Sequence, residues 1–142
     1  MDIERAKRYK DKLNLMAERA GDILDWTSED VSGFISDKKT KLATYKAFQE
    51  LTEASFDIAA MVCKDSGLIP KDDYTNVDIL CQNGIIDNGV KDVLSQANGL
   101  RNRLVHRYNN LDDVMAFDSI RTLSSGFEHF EEVIGKWLEK NL

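Results

Sequence analysis

The sequence predicts an all-α fold on two observations: apolar residues recur at helical spacings almost throughout, and the chain holds a single proline, Pro70. The first helix is expected from about Ile3 to Leu24, where Tyr9, Leu13, Met16, Ala20 and Ile23 form one stripe at steps of three and four. A polar connector containing Gly33 follows, from Trp26 to about Lys38. The second helix, about Lys39 to Asp65, carries Leu51, Ser55, Ile58 and Val62 on one face, with Leu42, Tyr45 and Phe48 leading into it. Gly67 and Pro70 end it, because glycine suits the position after a helix and proline cannot continue one.

A short third helix is expected to begin near Asp72, to turn Tyr74, Val77, Leu80 and Cys81 inward, and to stop at Gly84. Asp87 or Asn88 caps a fourth that reaches about Tyr108, where Asn109-Asn110 breaks it. Asp112-Asp113 opens a fifth with Phe117, Ile120, Phe127, Phe130, Ile134 and Trp137 on its apolar face. Joined by modest loops, these elements make a four- to five-helix up-and-down bundle. Residues 1–142 are most simply one domain, and a chain of that length buries roughly 68–70% of its unfolded surface without disulfide or metal.

Composition narrows the function. Cys63 and Cys81 have no metal-ligand or redox spacing and read as two free buried thiols in a reducing cytoplasm. The charged start, Met1-Asp2-Ile3-Glu4-Arg5, lacks the apolar core of a signal peptide, and no apolar run approaches the ~18 residues of a membrane span, so a soluble cytoplasmic protein is expected. A net charge of −6 opposes general binding to duplex DNA. The charge is uneven, however. Residues 99–110 hold three arginines and no acid, and residues 5–12 hold five bases against one acid, a pattern that suits one strand or one nucleotide.

The chemistry concentrates in Arg101-Asn102-Arg103-Leu104-Val105-His106-Arg107-Tyr108. On a helical wheel Val90, Leu94, Ala97, Leu104, Val105 and Tyr108 all fall within about 60° of Arg101. The arginine therefore projects from an apolar stripe, where it must be ion-paired or open onto a wet cleft. His106 lies about 140° away, so one straight helix does not bring the pair together, whereas Asn102 and His106 are neighbours at i and i+4. A distortion at Asn98-Gly99, a frayed last turn, or two symmetric copies meeting along this helix would each resolve the conflict, and the last is preferred. Histidine can move a proton at a ribose hydroxyl or leaving oxygen, and arginine pairs with a phosphate or its transition state. Together they suit metal-free RNA cleavage. His129, among Phe127, Phe130 and Glu131–Glu132, reads as a surface or packing residue. Asp72–Asp73 and Asp112–Asp113 read as helix caps rather than metal ligands, and no P-loop, GxGxxG or HExxH motif occurs.

Arg101-Asn102-x-x-x-His106-x-Tyr108, near the end of the fourth helix, resembles the RX4HXY signature of the HEPN superfamily, and more narrowly its HepT-like toxins. Gln49-Glu50-Leu51, Asp57-Ile58-Ala59, the stretch from Pro70 to Tyr74, Leu80 with Gly84-Ile85-Ile86, and Leu104-Val105 extend the likeness over roughly residues 40 to 135. The resemblance implies a homodimer along the motif helices, with further assembly left open, and metal-independent RNA cleavage in the dimer cleft without a cofactor. Arg101 and His106 would be catalytic, with Asn102 supporting them and Arg103 and Arg107 as candidate RNA contacts. Tyr108 would receive AMP from ATP through an MntA-type nucleotidyltransferase antitoxin, placing bulk and negative charge beside the cationic site. The competing readings are a non-catalytic HEPN module that binds a nucleotide or scaffolds a transferase, and a structural helical dimer in which Arg101 is merely paired.

Overall fold

Helix starts in this chain are set by aspartate. The computed structural model describes residues 1–106 and 111–142, and holds six helices among them. They are α1 (Ile3–Trp26), α2 (Val31–Ser36), α3 (Lys38–Asp65), α4 (Asp73–Gln82), α5 (Asn88–His106) and α6 (Asp113–Asn141). Asp2, Asp30, Asp37, Asp72, Asp87 and Asp112 precede them in turn, and each side chain accepts a hydrogen bond from a first-turn backbone N–H. These N–H groups have no partner within their own helix, and a carboxylate also complements the positive end of the helix dipole. Backbone and side-chain bonds from Thr40 and Thr75 hold the Asp37 and Asp72 carboxyls below the ordinary range.

Glycine sets two of the ends. Gly67 and Gly84 have φ of 79° and 72°, in the left-handed region. At the first, Leu68 N–H donates to Cys63 O at 2.9 Å and Gly67 N–H to Lys64 O at 3.1 Å, while Ile85 and Gly84 repeat the pattern on Leu80 and Cys81. This paired closure satisfies carbonyls that would otherwise be left open at the ends of α3 and α4.

The four long helices form a closed ring in which α1 packs on α3, α3 on α5, α5 on α6 and α6 on α1. Along the antiparallel α1–α3 seam, Arg5, Lys12 and Arg19 pair with Asp65, Asp57 and Glu50 at 2.9, 2.9 and 2.7 Å. Their seven-residue spacing keeps one row of cations on the facing helix, as in coiled-coil packing. Inside the ring, Tyr9, Met16, Ile23, Phe48, Leu51, Ile58, Leu94, Ile120, Phe127, Phe130 and Ile134 are all essentially inaccessible to solvent. Tyr9 keeps its hydroxyl satisfied by donating to Asp65 at 2.6 Å. No described helix is long and apolar enough to cross a membrane.

The expected connector at 26–38 proves to contain a helix. Asp30 caps α2, and Phe34 is buried against the rings of Tyr45 and Phe117, with centroids 6.0 and 4.8 Å away. A six-residue helix with one apolar anchor is too short to show a period, so only its packing reveals it. Two expected inward residues lie outside instead: Leu42 is 52% and Tyr74 46% exposed. Asn76 takes the interior place on α4, its amide closing a pair of bonds with the Lys71 backbone. Cys63 is buried, which pushes its thiol pKa up, whereas Cys81 is only half-buried, and both thiols are free.

Candidate functional site

The described part of the motif, Arg101 to His106, lies at the end of α5, which continues as one helix through Asn98-Gly99. Val90, Leu94, Ala97 and Leu100 bury the stripe, while Leu104 and Val105 beyond them are half-buried. Arg101 sits in line with that stripe with its side chain only 26% exposed. His106 is the final residue of α5 and is exposed. Arg103 is also exposed. The expected sites Arg107 and Tyr108, with the Asn109-Asn110 break, lie outside the described residues.

Both ways of accommodating a half-buried arginine are used at once. Arg101 Nη2 lies 3.2 Å from Glu53 Oε1 on α3, and Nη1 donates to Asn102 Oδ1 at 2.9 Å. Gln49 Nε2 donates to the same Glu53 oxygen at 2.8 Å from one turn earlier, through the Oε1 that faces Arg101. The arginine also opens onto a polar cleft of about 170 Å³. Thr52, Glu53, Phe56 and Asp57 wall it from α3, Asp73 from α4, and Asn98 from α5.

The cleft is electrically mixed. Arg101 engages Glu53, and Lys12 reaches Asp57 from α1 at 2.9 Å. Asp73 has no cation within ion-pair distance among the described residues. Loss of surrounding water pushes its carboxyl pKa up, and although Arg101 pulls it back, Asp57, Asp72 and Glu53 add to the rise. Asp73 is still exposed at the mouth of the cleft. Two buried polar atoms at the cleft lack hydrogen-bond partners among the described residues, the Thr52 hydroxyl and Arg101 Nε. Buried polar atoms are nearly always satisfied, so such orphans ask for an explanation.

The aspartate doublets divide their labour. Asp72 caps α4 while Asp73 turns to the cleft, and Asp112 caps α6 while Asp113 binds Lys41 and the Tyr45 hydroxyl. His129 is 57% exposed and faces Asp87 at 3.4 Å, a surface contact between α6 and the start of α5. Sequence reasoning singled out Arg101, Asn102 and His106 but missed Thr52, Glu53, Asp73 and Asn98. The one available signal was the Glu53/Asp57 pair at i and i+4, which puts two acids side by side on α3. Which helix faces them is a tertiary fact.

Fold and site define a HEPN-type helical bundle carrying its arginine–histidine motif at the end of one long helix. Comparison with known proteins makes the assignment narrower. The family model described as Ribonuclease HepT-like matches residues 13–134, and the chain belongs to that family. A protein of Archaeoglobus fulgidus described as a candidate RNase is 34% identical over 138 residues, covering 96% of this chain and 97% of the relative. A second candidate RNase of that organism is 33% identical over 108 residues, covering 76% of each chain. Among solved structures, a tri-AMPylated HEPN toxin of Shewanella oneidensis in complex with its MNT antitoxin superposes with a TM-score of 0.84 at 25% identity. That match spans 96% of this chain and 99% of the toxin.

Proposed function

We propose that this chain is the toxin ribonuclease of a two-component system and cuts RNA without metal at a site shared between two copies of α5. The observation that carries the reading is the division of the motif. Arg101 is drawn toward its own subunit's cleft while His106 stands exposed at the helix end, so each subunit supplies half of a site. In the complete site the 2′-hydroxyl attacks its own phosphorus and loses its proton to one His106 imidazole. The bond to the 5′-oxygen breaks, and the 5′-oxygen takes a proton from the same residue of the second copy, leaving a 2′,3′-cyclic phosphate. Arg101 neutralises charge building on the phosphoryl oxygens, held by Asn102 and Glu53 until RNA arrives. Arg103 and Arg107 contact the flanking backbone.

Control would come from a partner nucleotidyltransferase. The Tyr108 oxygen attacks the α-phosphorus of ATP, pyrophosphate leaves, and the added AMP brings negative charge beside the arginine. The likeness to an AMPylated toxin held by its antitoxin supports this part. A second reading, a non-catalytic module that only binds a nucleotide, is favoured by one observation: Arg101 is already engaged by an acid.

One set of assays separates them. Purified protein in EDTA is expected to cleave RNA to cyclic-phosphate ends, and His106→Ala to lose at least a hundredfold in rate, the size of a general acid–base contribution. Equal cleavage by wild type and variant would sink the ribonuclease reading. Intact mass after incubation with the partner transferase and ATP should show AMP adducts that vanish in Tyr108→Phe, and their persistence would move the modified residue elsewhere.

A further inference from the structure

We propose that the cleft beside Arg101 is a nucleobase subsite that selects guanine next to the scissile phosphate. This rests on the ribonuclease reading for its place beside the cut, but not for binding itself.

The cleft holds about 170 Å³, below the ~300 Å³ at which sites for drug-sized ligands begin. One ring system suits that space, and a whole nucleotide does not. The walls specify what kind of ring. Glu53 and Asp57 are each matched by a cation, Arg101 and Lys12, which leaves Asp73 as the carboxylate free to accept. The group it accepts from is a hydrogen-bond donor that carries no negative charge, because an anion would meet three acids. The acids do not converge as a metal site among the described residues, so an organic donor fits better than a cation.

A further observation points to a ligand. Thr52 is 0% exposed, walls the cleft, and its hydroxyl has no partner among the described residues. Phe56, only 4% exposed, also lines the cleft, as part of the apolar core behind it. A buried hydroxyl left orphaned in the free protein gains a partner when an acceptor enters.

Guanine matches this set in a way the other bases do not. Its Watson–Crick edge carries two adjacent donors, N1–H and the N2 amino group, which one carboxylate accepts side by side, while its O6 can take a bond from Thr52 or the Asn98 amide. Cytosine and adenine place a ring acceptor beside their amino group, and uracil flanks its single N–H with two carbonyls. Each would set a lone pair against Asp73. With the base in the cleft, its phosphate falls toward Arg101, whose Nε also has no partner among the described residues.

The test uses the full chain and two probes, 3′-GMP and 3′-UMP, titrated by NMR or calorimetry. Wild type is expected to bind 3′-GMP at least tenfold more tightly than 3′-UMP, the scale of one bidentate base contact. Asp73→Asn should bring the two within about twofold while its circular dichroism stays that of wild type. Equal affinities in wild type, discrimination surviving in Asp73→Asn, or spermidine displacing 3′-GMP from the same resonances at lower concentration would each overturn the subsite. Sequencing the ends cut from a random RNA pool tests its place beside the reaction. Guanine should be enriched at one position flanking the cut in wild type and not in Asp73→Asn, and cuts lacking that enrichment would remove the site from the cleavage register. Base discrimination in binding without any cleavage would leave the subsite standing and bring down the ribonuclease reading alone.

Discussion

At Thr52, stability and binding pull in opposite directions. Its hydroxyl is fully buried on α3 without a partner among the described residues, and such a group costs about 1–3 kcal/mol of desolvation. Valine has nearly the same shape and no hydroxyl. Thr52→Val is therefore expected to raise unfolding stability by about 1 kcal/mol, seen as a higher urea midpoint at unchanged slope. The same change should weaken 3′-GMP binding. Functional sites commonly carry this kind of local cost, which selection for stability alone would remove. A lowered midpoint would mean that the hydroxyl is satisfied in solution. His106 is the opposite case: it is exposed at a helix end, so its replacement should alter cleavage and leave stability within about 0.5 kcal/mol.

At the level of the helices, the pose of the motif depends on how closely α5 meets α6. Gly126 on α6 lies so near Val93 that an added Cβ would sit 2.8 and 2.9 Å from the two valine methyls. A β-branched side chain within a helix has little rotamer freedom with which to move aside. Gly126→Ala is expected to cost about 1–3 kcal/mol by overpacking, measured by urea unfolding, and Val93→Ala in the same chain to return part of it. Additive losses would show that the two helices do not touch at this point. The opposite side of α5 is fixed to α3 through Glu53, so a shift against α6 would also move Arg101 in its cleft. The small α2 acts at a third place, where Phe34 fills the space between the starts of α3 and α6.

Over the whole molecule, carboxylates dominate the response to acid. Burial pushes Asp65 and Asp113 up, but the hydroxyls of Tyr9 and Tyr45 and the cations Arg5 and Lys41 outweigh it and hold both below the ordinary range. The caps Asp37, Asp72 and Asp87 are lowered as well. A carboxyl depressed in the folded state contributes stability that is complete above its unfolded value near 4 and is lost as pH falls through the folded one. Asp73 and Glu131 run the other way. Burial first, then neighbouring acids, raise them, so the folded chain takes up their protons before the unfolded chain does, and their cost fades on mild acidification. The urea midpoint is expected to hold or rise slightly from pH 7 to about 5 and to fall steeply below about 4. A midpoint still rising at pH 3 would contradict the sign assigned to Asp65 and Asp113.

The sequence by itself determined the helices and the motif that α5 carries. Periodic stripes are a local property of the chain, so α1, α3, α4, α5 and α6 were legible to within a few residues, and Asp87, Gly67 and Gly84 marked ends by local hydrogen bonding and backbone freedom. The angular conflict between Arg101 and His106 was legible too, because helical pitch alone imposes it. What lies opposite a side chain is not local. That α3 presents Glu53 to Arg101, that Asp73 turns to a cleft while Asp72 caps, and that Phe34 makes a helix of an apparent connector follow from contacts between residues distant in sequence. Only the packed bundle could decide that the arginine is held against α3 while the histidine is left exposed.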